Sequence, residues 1–433
     1  MTQTLDALRR GDLAGARELR FRGGLSEFPR EVFGLADTLE VLDLGGGALS
    51  SLPHDLGRLS KLRVLFCSGN RFERLPPSLG DCAALSQVAF RGCGLAEIPA
   101  EALPPALRWL TLTDNALEAL PEAIGQRPAL QKLMLSGNRL EKLPDSLAGA
   151  ANLELMRLSA NRLMALPAWL TELPRLAWLA WAGNPFDHGS AGSSQAVAWS
   201  TLRPSRLLGE GASGAVHEAL WTQGGETRSV ALKLFKGAMT SDGLPEREMA
   251  ACLAAGVHPN LTGALGRLVD HPDDAQGLLM TLLPADWRVL AGPPSLESCS
   301  RDIYDPALWL ELDVALRIAR DVGAGAAHLH ATGLSHGDLY AHNTLWDGST
   351  GQAVLSDLGG ASFLPDGLED PLRRLDVLAW GLLLGELLER CGDASSLPVG
   401  LLDLRQRCVA PELVARPSMA EAVDALNAWL RQD

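Results

Sequence analysis

Over the first 186 residues the hydrophobic positions return in one frame, with apolar residues at its first, fourth and sixth places and a small polar turn after them. It starts at Leu39 (LEVLDLGGGAL), Leu62 (LRVLFCSGNRF), Leu85 (LSQVAFRGCGL), Leu107 (LRWLTLTDNAL), Leu130 (LQKLMLSGNRL), Leu153 (LELMRLSANRL) and Leu176 (LAWLAWAGNPF), in steps of 23 residues with one of 22. Alternation inside the frame predicts a short strand whose inward side chains are Leu42, Leu44 and their equivalents. Asn70, Asn115, Asn138, Asn161 and Asn184 mark sharp turns, where an amide can bond the backbone of neighbouring coils. Leu-Pro pairs at 52, 75, 120, 143 and 166 start the opposite, convex side. One coil cannot bury its leucines alone, so the pattern predicts a stack with a shared core.

From about residue 200 the period changes. RLLGEGASGAVHEALW (206–221) and SVALKLFK (229–236) read as strands, and TLW with AVLSDLGG as two short strands across a Gly-Ser turn. PEREMAACLAAG (245–256), ELDVALRIARDVGAGAAHLHATG (311–333) and LDVLAWGLLLGELLE (375–389) carry apolar residues in helical runs.

Seven copies at this spacing are the leucine-rich-repeat signature. Residues 1–38 are expected to form a cap, with a helix over DALRRGDLAGARELR and a degenerate coil through Leu19, Phe21, Leu25 and Phe28-Pro29. Regular repeats then occupy 39–186. Between the inward leucines, Val64, Phe66, Trp109, Met134, Leu155 and Trp178 are expected to face outward on the concave sheet. Clustered apolar residues on one face mark a partner site, or a surface docked on the chain's own second half. Residues 187–199, rich in small polar side chains, read as a flexible linker.

Composition narrows the class. A chain of 433 residues, 47% hydrophobic and 21% charged, suits a folded protein of two domains. Its net charge of −14 speaks against nucleic-acid partners, which need clustered cations. No signal-like leader and no apolar run of membrane length are seen, so a cytoplasmic protein without a membrane span is expected. Seven cysteines, an odd number, read as reduced thiols.

Candidate chemistry concentrates after residue 200. SHGDLYAHN (335–343) and SDLGG (356–360) order Asp338, then Asn343, then Asp357. That order suits a site that holds a divalent metal against a polyphosphate and orients a hydroxyl for in-line attack. Such a loop can also be a simple turn. Gly209, Gly211 and Gly214 lie between two strand-like runs, where backbone N–H groups can cover phosphates, although a plain hairpin reads the same. Lys233 is a cation in the middle of an apolar strand, and Glu248 on the next helix is its expected acid, with Glu246 one turn offset.

In this order the landmarks resemble eukaryotic-like protein kinases: GxGxxGxV, VALK for VAIK, HGDLYAHN for HRDxxxxN, DLG for DFG, DVLAWG for DVWSFG, and Arg416-Pro417. The resemblance covers 200–433, and the whole chain resembles bacterial leucine-rich-repeat protein kinases. It implies a multi-domain α/β plus α+β protein: a repeat solenoid, then a bilobal kinase-like domain with lobes of about 200–284 and 285–433. It implies ATP and Mg²⁺ as cofactors. Lys233 would hold the α- and β-phosphates and Glu248 would hold Lys233. Asp338 would orient the attacking hydroxyl and take its proton, with Asn343 and Asp357 on the metal. Val216 and Ala231 would sandwich the adenine, backbone of 282–285 would bond its edge, and Asp376 would brace the loop.

Departures qualify the resemblance. Gly337 replaces the arginine that clasps a phosphorylated activation loop. Tyr340 stands where serine/threonine kinases commonly carry lysine. Asp376 follows Asp357 by only nineteen positions, with no APE between them, so a full activation segment cannot fit. Glu369 is a candidate partner for Arg416. The expected function is an ATP-dependent protein kinase, serine/threonine in preference to tyrosine, with Phe66, Trp109, Met134 and Trp178 presented to a protein partner. The rivals are a small-molecule phosphotransferase of the aminoglycoside or choline kinase type and a catalytically dead, nucleotide-binding scaffold.

Overall fold

The N-terminal helix is shorter than its sequence pattern suggests. Helix α1 spans only Leu5–Arg9, because the chain turns at Gly11 in the left-handed region (φ 80°), and Glu18–Arg20 further along becomes the first strand instead. The computed structural model describes residues 5–431 apart from 22, 190–194, 212, 237–238, 241 and 393–396. By internal contacts it divides into two units, Met1–Leu173 and Pro174–Asp433.

In the first unit Glu18–Arg20, Val41–Asp43, Val64–Phe66, Gln87–Ala89, Trp109–Thr111, Lys132–Met134 and Leu155–Arg157 (β1 to β7) pair in parallel and in chain order. Leu42, Leu65, Val88, Leu110, Leu133 and Met156 stand in one register and are all buried. The turn asparagines act as the spacing requires. Asn70 accepts from Leu49 N at 2.9 Å and donates to the carbonyls of Leu44 and Cys67 at 2.9 and 2.8 Å, so one amide serves two coils. The outward positions are less open than expected. Val64, Met134 and Leu155 are buried, and only Phe66 and Trp109 stay half-buried. Their register neighbours lie over them: Val41 and Gln87 flank Val64, Arg157 flanks Met134, and Lys132 flanks Leu155.

The second unit opens with β8 (Trp178–Ala180) and β9 (Ala196–Ala198). The latter lies inside the stretch read as linker, and it pairs in parallel with β13 (Ala264–Val269). Asp187 from the same stretch is enclosed and ion-paired with Arg247; residues 190–194 of it lie outside the described residues. Next come β10 (Leu202–Glu210), β11 (Gly214–Gln223), β12 (Glu226–Phe235), β13 and β14 (Gly277–Met280), in a sheet ordered β10-β11-β12-β14-β13-β9. Helix α2 (Pro245–Ala255) packs near β13. The core of the sheet joins Val197, Leu202, Ala219, Trp221, Val230, Leu232, Leu268 and Leu279.

The rest is mainly helical. Helix α3 (Leu312–Ala331) packs on α4 (Glu369–Leu388) and α6 (Met419–Leu430), with α5 (Val399–Cys408) against α4. Helix α4 begins six residues before the expected start. Short strands carry the loops: β15 (Arg288–Val289), β17 (Thr344–Trp346) and β18 (Ala353–Leu355) form one sheet, while β16 (Leu334–Ser335) pairs with β19 (Ser362–Phe363). Among the described residues no helix is long and apolar enough to cross a membrane. All seven cysteines are free thiols.

Candidate active site

Lys233 sits in mid-strand, with β11 on one side (paired with Val216) and β14 on the other (paired with Leu278). The residue is 9% exposed. Glu248, in the first turn of α2 where the helix dipole favours an acid, meets it as a buried ion pair. Burial lowers the lysine pKa, but Glu248 and Asp357 outweigh it and leave it raised, so Lys233 is a cation at neutral pH. Burial pushes Glu248 up to about 7, against the pull of Lys233. Two desolvated charges are costly to assemble and costlier to separate, which fits a pair held for use. The other candidate acid, Glu246, is not in the pair.

Above the lysine, Gly209, Gly211 and Gly214 lie at the tip of the β10-β11 hairpin, where Gly211 N donates to Gly214 O at 2.9 Å. Val216 faces β10 at Gly209, and Ala231 on β12 is buried and paired with Met280. Residues 282–285 follow β14 as irregular chain.

The 335–343 loop is fixed from below. Asp376, two turns into α4, is buried and accepts from His330 Nε2 (2.9 Å), Ser335 Oγ (3.0 Å), His336 N (2.8 Å) and Gly337 N (3.0 Å). Although its burial opposes charge, His330 and the loop N–H groups hold its carboxyl below the usual range. His336 is enclosed, and burial lowers its pKa. The neutral ring accepts from Asp338 N at Nδ1 (3.2 Å), which leaves Nε2–H to donate to Ser356 O (3.2 Å). Gly337 has φ 67°, and a Cβ there would stand 2.5 Å from Leu179 O and 2.6 Å from Gly360 O. The arginine usual at this position is sterically shut out.

Asp338 and Asn343 meet directly. The Asn343 amide donates to Asp338 O at 2.8 Å and to Asp338 Oδ2 at 2.9 Å. Ser356 donates to Asn343 O through both its N–H and its Oγ, each at 2.8 Å, which draws Asp357 alongside. Asp357 is exposed, takes the left-handed conformation (φ 56°, ψ 86°) and accepts from Gly359 N at 3.1 Å. A non-glycine residue held there is a strained position of the sort found at working sites. The structure thus gathers Lys233, Glu248 and Asp357 in one electrostatic group and Asp338 with Asn343 in another, joined through Ser356.

Several partners escaped the sequence reading. Trp178 is not presented outward: it is buried, stacked on Tyr340 with centroids 4.2 Å apart and planes 8° from parallel. His342 is held by Asp302 at 2.7 Å. Arg416 finds the carbonyls of Ala410, Arg374, Pro174 and Pro411 at 2.8, 3.1, 3.4 and 3.5 Å; Glu369 is not among its hydrogen-bond partners. The one visible signal was a second tryptophan in the last frame, Trp181, at a place where earlier coils carry Leu, Cys or Phe.

Residues 202–367 match the family described as protein tyrosine and serine/threonine kinase. Residues 61–82 and 105–163 match leucine rich repeat families. A probable serine/threonine-protein kinase of Encephalitozoon cuniculi is 26% identical over 174 residues, covering 40% of this chain. The chain spans only 30% of that relative's length.

Proposed function

We propose that this chain, a protein kinase domain preceded by leucine-rich repeats, transfers the γ-phosphoryl group of ATP to a serine or threonine hydroxyl of a protein. The observation that carries this reading is the buried Lys233–Glu248 pair within electrostatic reach of Asp357, beside the Asp338–Asn343 hydrogen bond. Lys233 binds the α- and β-phosphates, and Glu248 keeps it extended towards them. The hairpin tip that carries Gly209, Gly211 and Gly214 covers the phosphates, the lack of side chains allowing close approach, and Val216 and Ala231 pack on the adenine, whose edge meets 282–285. The substrate hydroxyl, oriented by Asp338, attacks the γ-phosphorus; the bond to the β–γ bridging oxygen breaks, ADP leaves, and the hydroxyl proton passes to the Asp338 carboxylate.

Asn343 and Asp357 offer what a hard divalent cation needs. Asn343 uses its amide nitrogen on Asp338, leaving its carbonyl oxygen, and Asp357 presents an exposed carboxylate. Among the described residues no three His, Cys, Asp or Glu gather as a self-sufficient metal cage, so phosphate oxygens would complete the shell, as suits Mg²⁺. When bound, the ion neutralises charge developing on the phosphates.

The repeats serve as the protein-recognition module, with half-buried Phe66 and Trp109 as its available apolar contacts; Trp178 and Met134, being buried, drop out of that role. Free thiols throughout favour a cytoplasmic setting. The test is radiolabelled ATP transfer by wild type and Lys233→Met, offered protein acceptors against aminoglycoside or choline. Label on protein that Lys233→Met loses supports the reading. Label on the small acceptors alone transfers the activity to the small-molecule class, and no label on any acceptor leaves a nucleotide-binding scaffold.

A further inference from the structure

The segment 174–187, the last leucine-rich coil in the sequence, belongs to the second unit and is bound into it at four places. Trp178 is 2% exposed, and its indole N–H donates at 2.9 Å to the carbonyl of Leu339, the residue after Asp338. Its ring stacks on Tyr340; His342 lies 4.8 Å behind that ring, itself fixed by Asp302. Trp181 is wholly enclosed, donating its backbone N–H to Ser362 Oγ at 3.0 Å and its indole N–H to Phe363 O at 3.1 Å, on the strand just after the Asp357 turn. Asp187 pairs with Arg247, the residue before Glu248 on α2, and its carbonyl accepts from the same guanidinium at 3.2 Å. Pro174 O accepts from buried Arg416 at 3.4 Å.

These contacts fall on elements whose positions matter for phosphoryl transfer: the Asp338 loop, the strand after Asp357, and the helix that carries Glu248. Only eleven residues lie between Asp357 and the start of α4 at Glu369, too few to brace all three from within. Leu179 O also fills the space above Gly337 where an arginine would project. With no arginine at 337 to clasp a phosphorylated loop, these contacts are what hold the three elements from outside the short segment.

We propose that residues 174–187 are a built-in positioning element that keeps the kinase site assembled without loop phosphorylation. Trp178 positions Asp338 through Leu339 and Tyr340, and Asp187 positions Glu248 through Arg247. The inference rests on the kinase reading. It separates two effects: loosening the Arg247 contact weakens ATP binding through the Lys233–Glu248 pair, whereas loosening the Trp178 contact slows transfer with ATP affinity kept.

The experiment uses the full chain with Mg-ATP and a generic protein acceptor. Asp187→Arg and Arg247→Asp should each weaken ATP binding about tenfold, and the double reversal should recover most of it, because the pair is isolated by a cycle. Trp178→Phe, which keeps the stack and loses the N–H, should lower kcat about fivefold with KM for ATP unchanged. Phosphatase treatment should leave kcat as it was. Unchanged ATP affinity in both charge variants, a double reversal no better than the singles, unchanged kcat in Trp178→Phe, or a large drop after phosphatase overturns the proposal. A wild type that binds ATP but labels no acceptor overturns the kinase reading instead, and the binding arm still decides the Asp187–Arg247 tether.

Discussion

The carboxylate of Asp376 accepts the backbone N–H of Gly337 at 3.0 Å, from a residue thirty-nine positions away, and so fixes the loop that delivers Asp338. Three further donors converge on it, and it is 1% exposed. Asp376→Asn keeps the size but points a donor group at donors. The expected cost is about 2–4 kcal/mol, since buried donors lose a charged acceptor. Equilibrium urea unfolding measures it, and a variant within experimental error of wild type would refute the bracing role.

Gly337 makes a second forecast. With φ 67° and carbonyl oxygens 2.5 and 2.6 Å from any Cβ, the position admits no side chain without displacing Leu179 or Gly360. Gly337→Ala should destabilise by about 2–3 kcal/mol and Gly337→Arg by more, combining conformational strain with overpacking. Restoring the arginine of the usual motif should therefore impair the protein. Gain of activity in Gly337→Arg would contradict this.

Acid should weaken the fold in a specific window. His336 is neutral when folded, with its pKa lowered by burial, while an unfolded histidine titrates near 6.5. As pH falls below about 6.5 the unfolded chain takes a proton that the folded chain refuses, so His336 draws stability down until its folded pKa is reached. The lowered pKa of Asp376 acts further down, its contribution present above the ordinary carboxylate value and lost in stronger acid. Stability between pH 7.5 and 5.5 should fall more steeply in wild type than in His336→Gln, by at most about 1.4 kcal/mol per pH unit. Parallel curves would remove His336 from the account.

In the repeats, Asn138 accepts from Leu117 N at 3.1 Å and donates to the carbonyls of Leu112 and Leu135, each at 2.9 Å. Asn138→Ala leaves those buried groups unpaired, and a loss of about 2–4 kcal/mol is expected. Thermal unfolding with a probe in the first unit reads it; no change in midpoint would show that the amide ladder is ornamental.

How far the sequence carried these readings depended on range. Period and alternation placed β2 to β7 and the turn amides of Asn70 and Asn138, because each is a contact between neighbouring coils of known spacing. Glu248 was reachable from Lys233 through the spacing of the motif to which both belong, although nine residues separate β12 from α2. Trp178, Asp187 and Arg247 were not, since their partners lie 60 to 162 positions away and no local period records such a contact. For Trp178 the pattern left open a partner-facing site or docking on the chain's own second half, and its stack on Tyr340 is of the second kind. Its burial depends on Tyr340, which the sequence offered only as an odd replacement for lysine.

Single-turnover transfer of labelled γ-phosphate to a protein acceptor by wild type and Asp338→Asn, with nucleotide affinity followed in parallel, tests whether Asp338 serves the transfer step. Wild type should label serine or threonine; Asp338→Asn should lose transfer by at least about a hundredfold while binding ATP normally, as expected when only the proton acceptor and hydroxyl orientation are removed. Equal transfer rates in the two proteins would contradict the role of Asp338 and, with it, the site assembled around Lys233, Asn343 and Asp357.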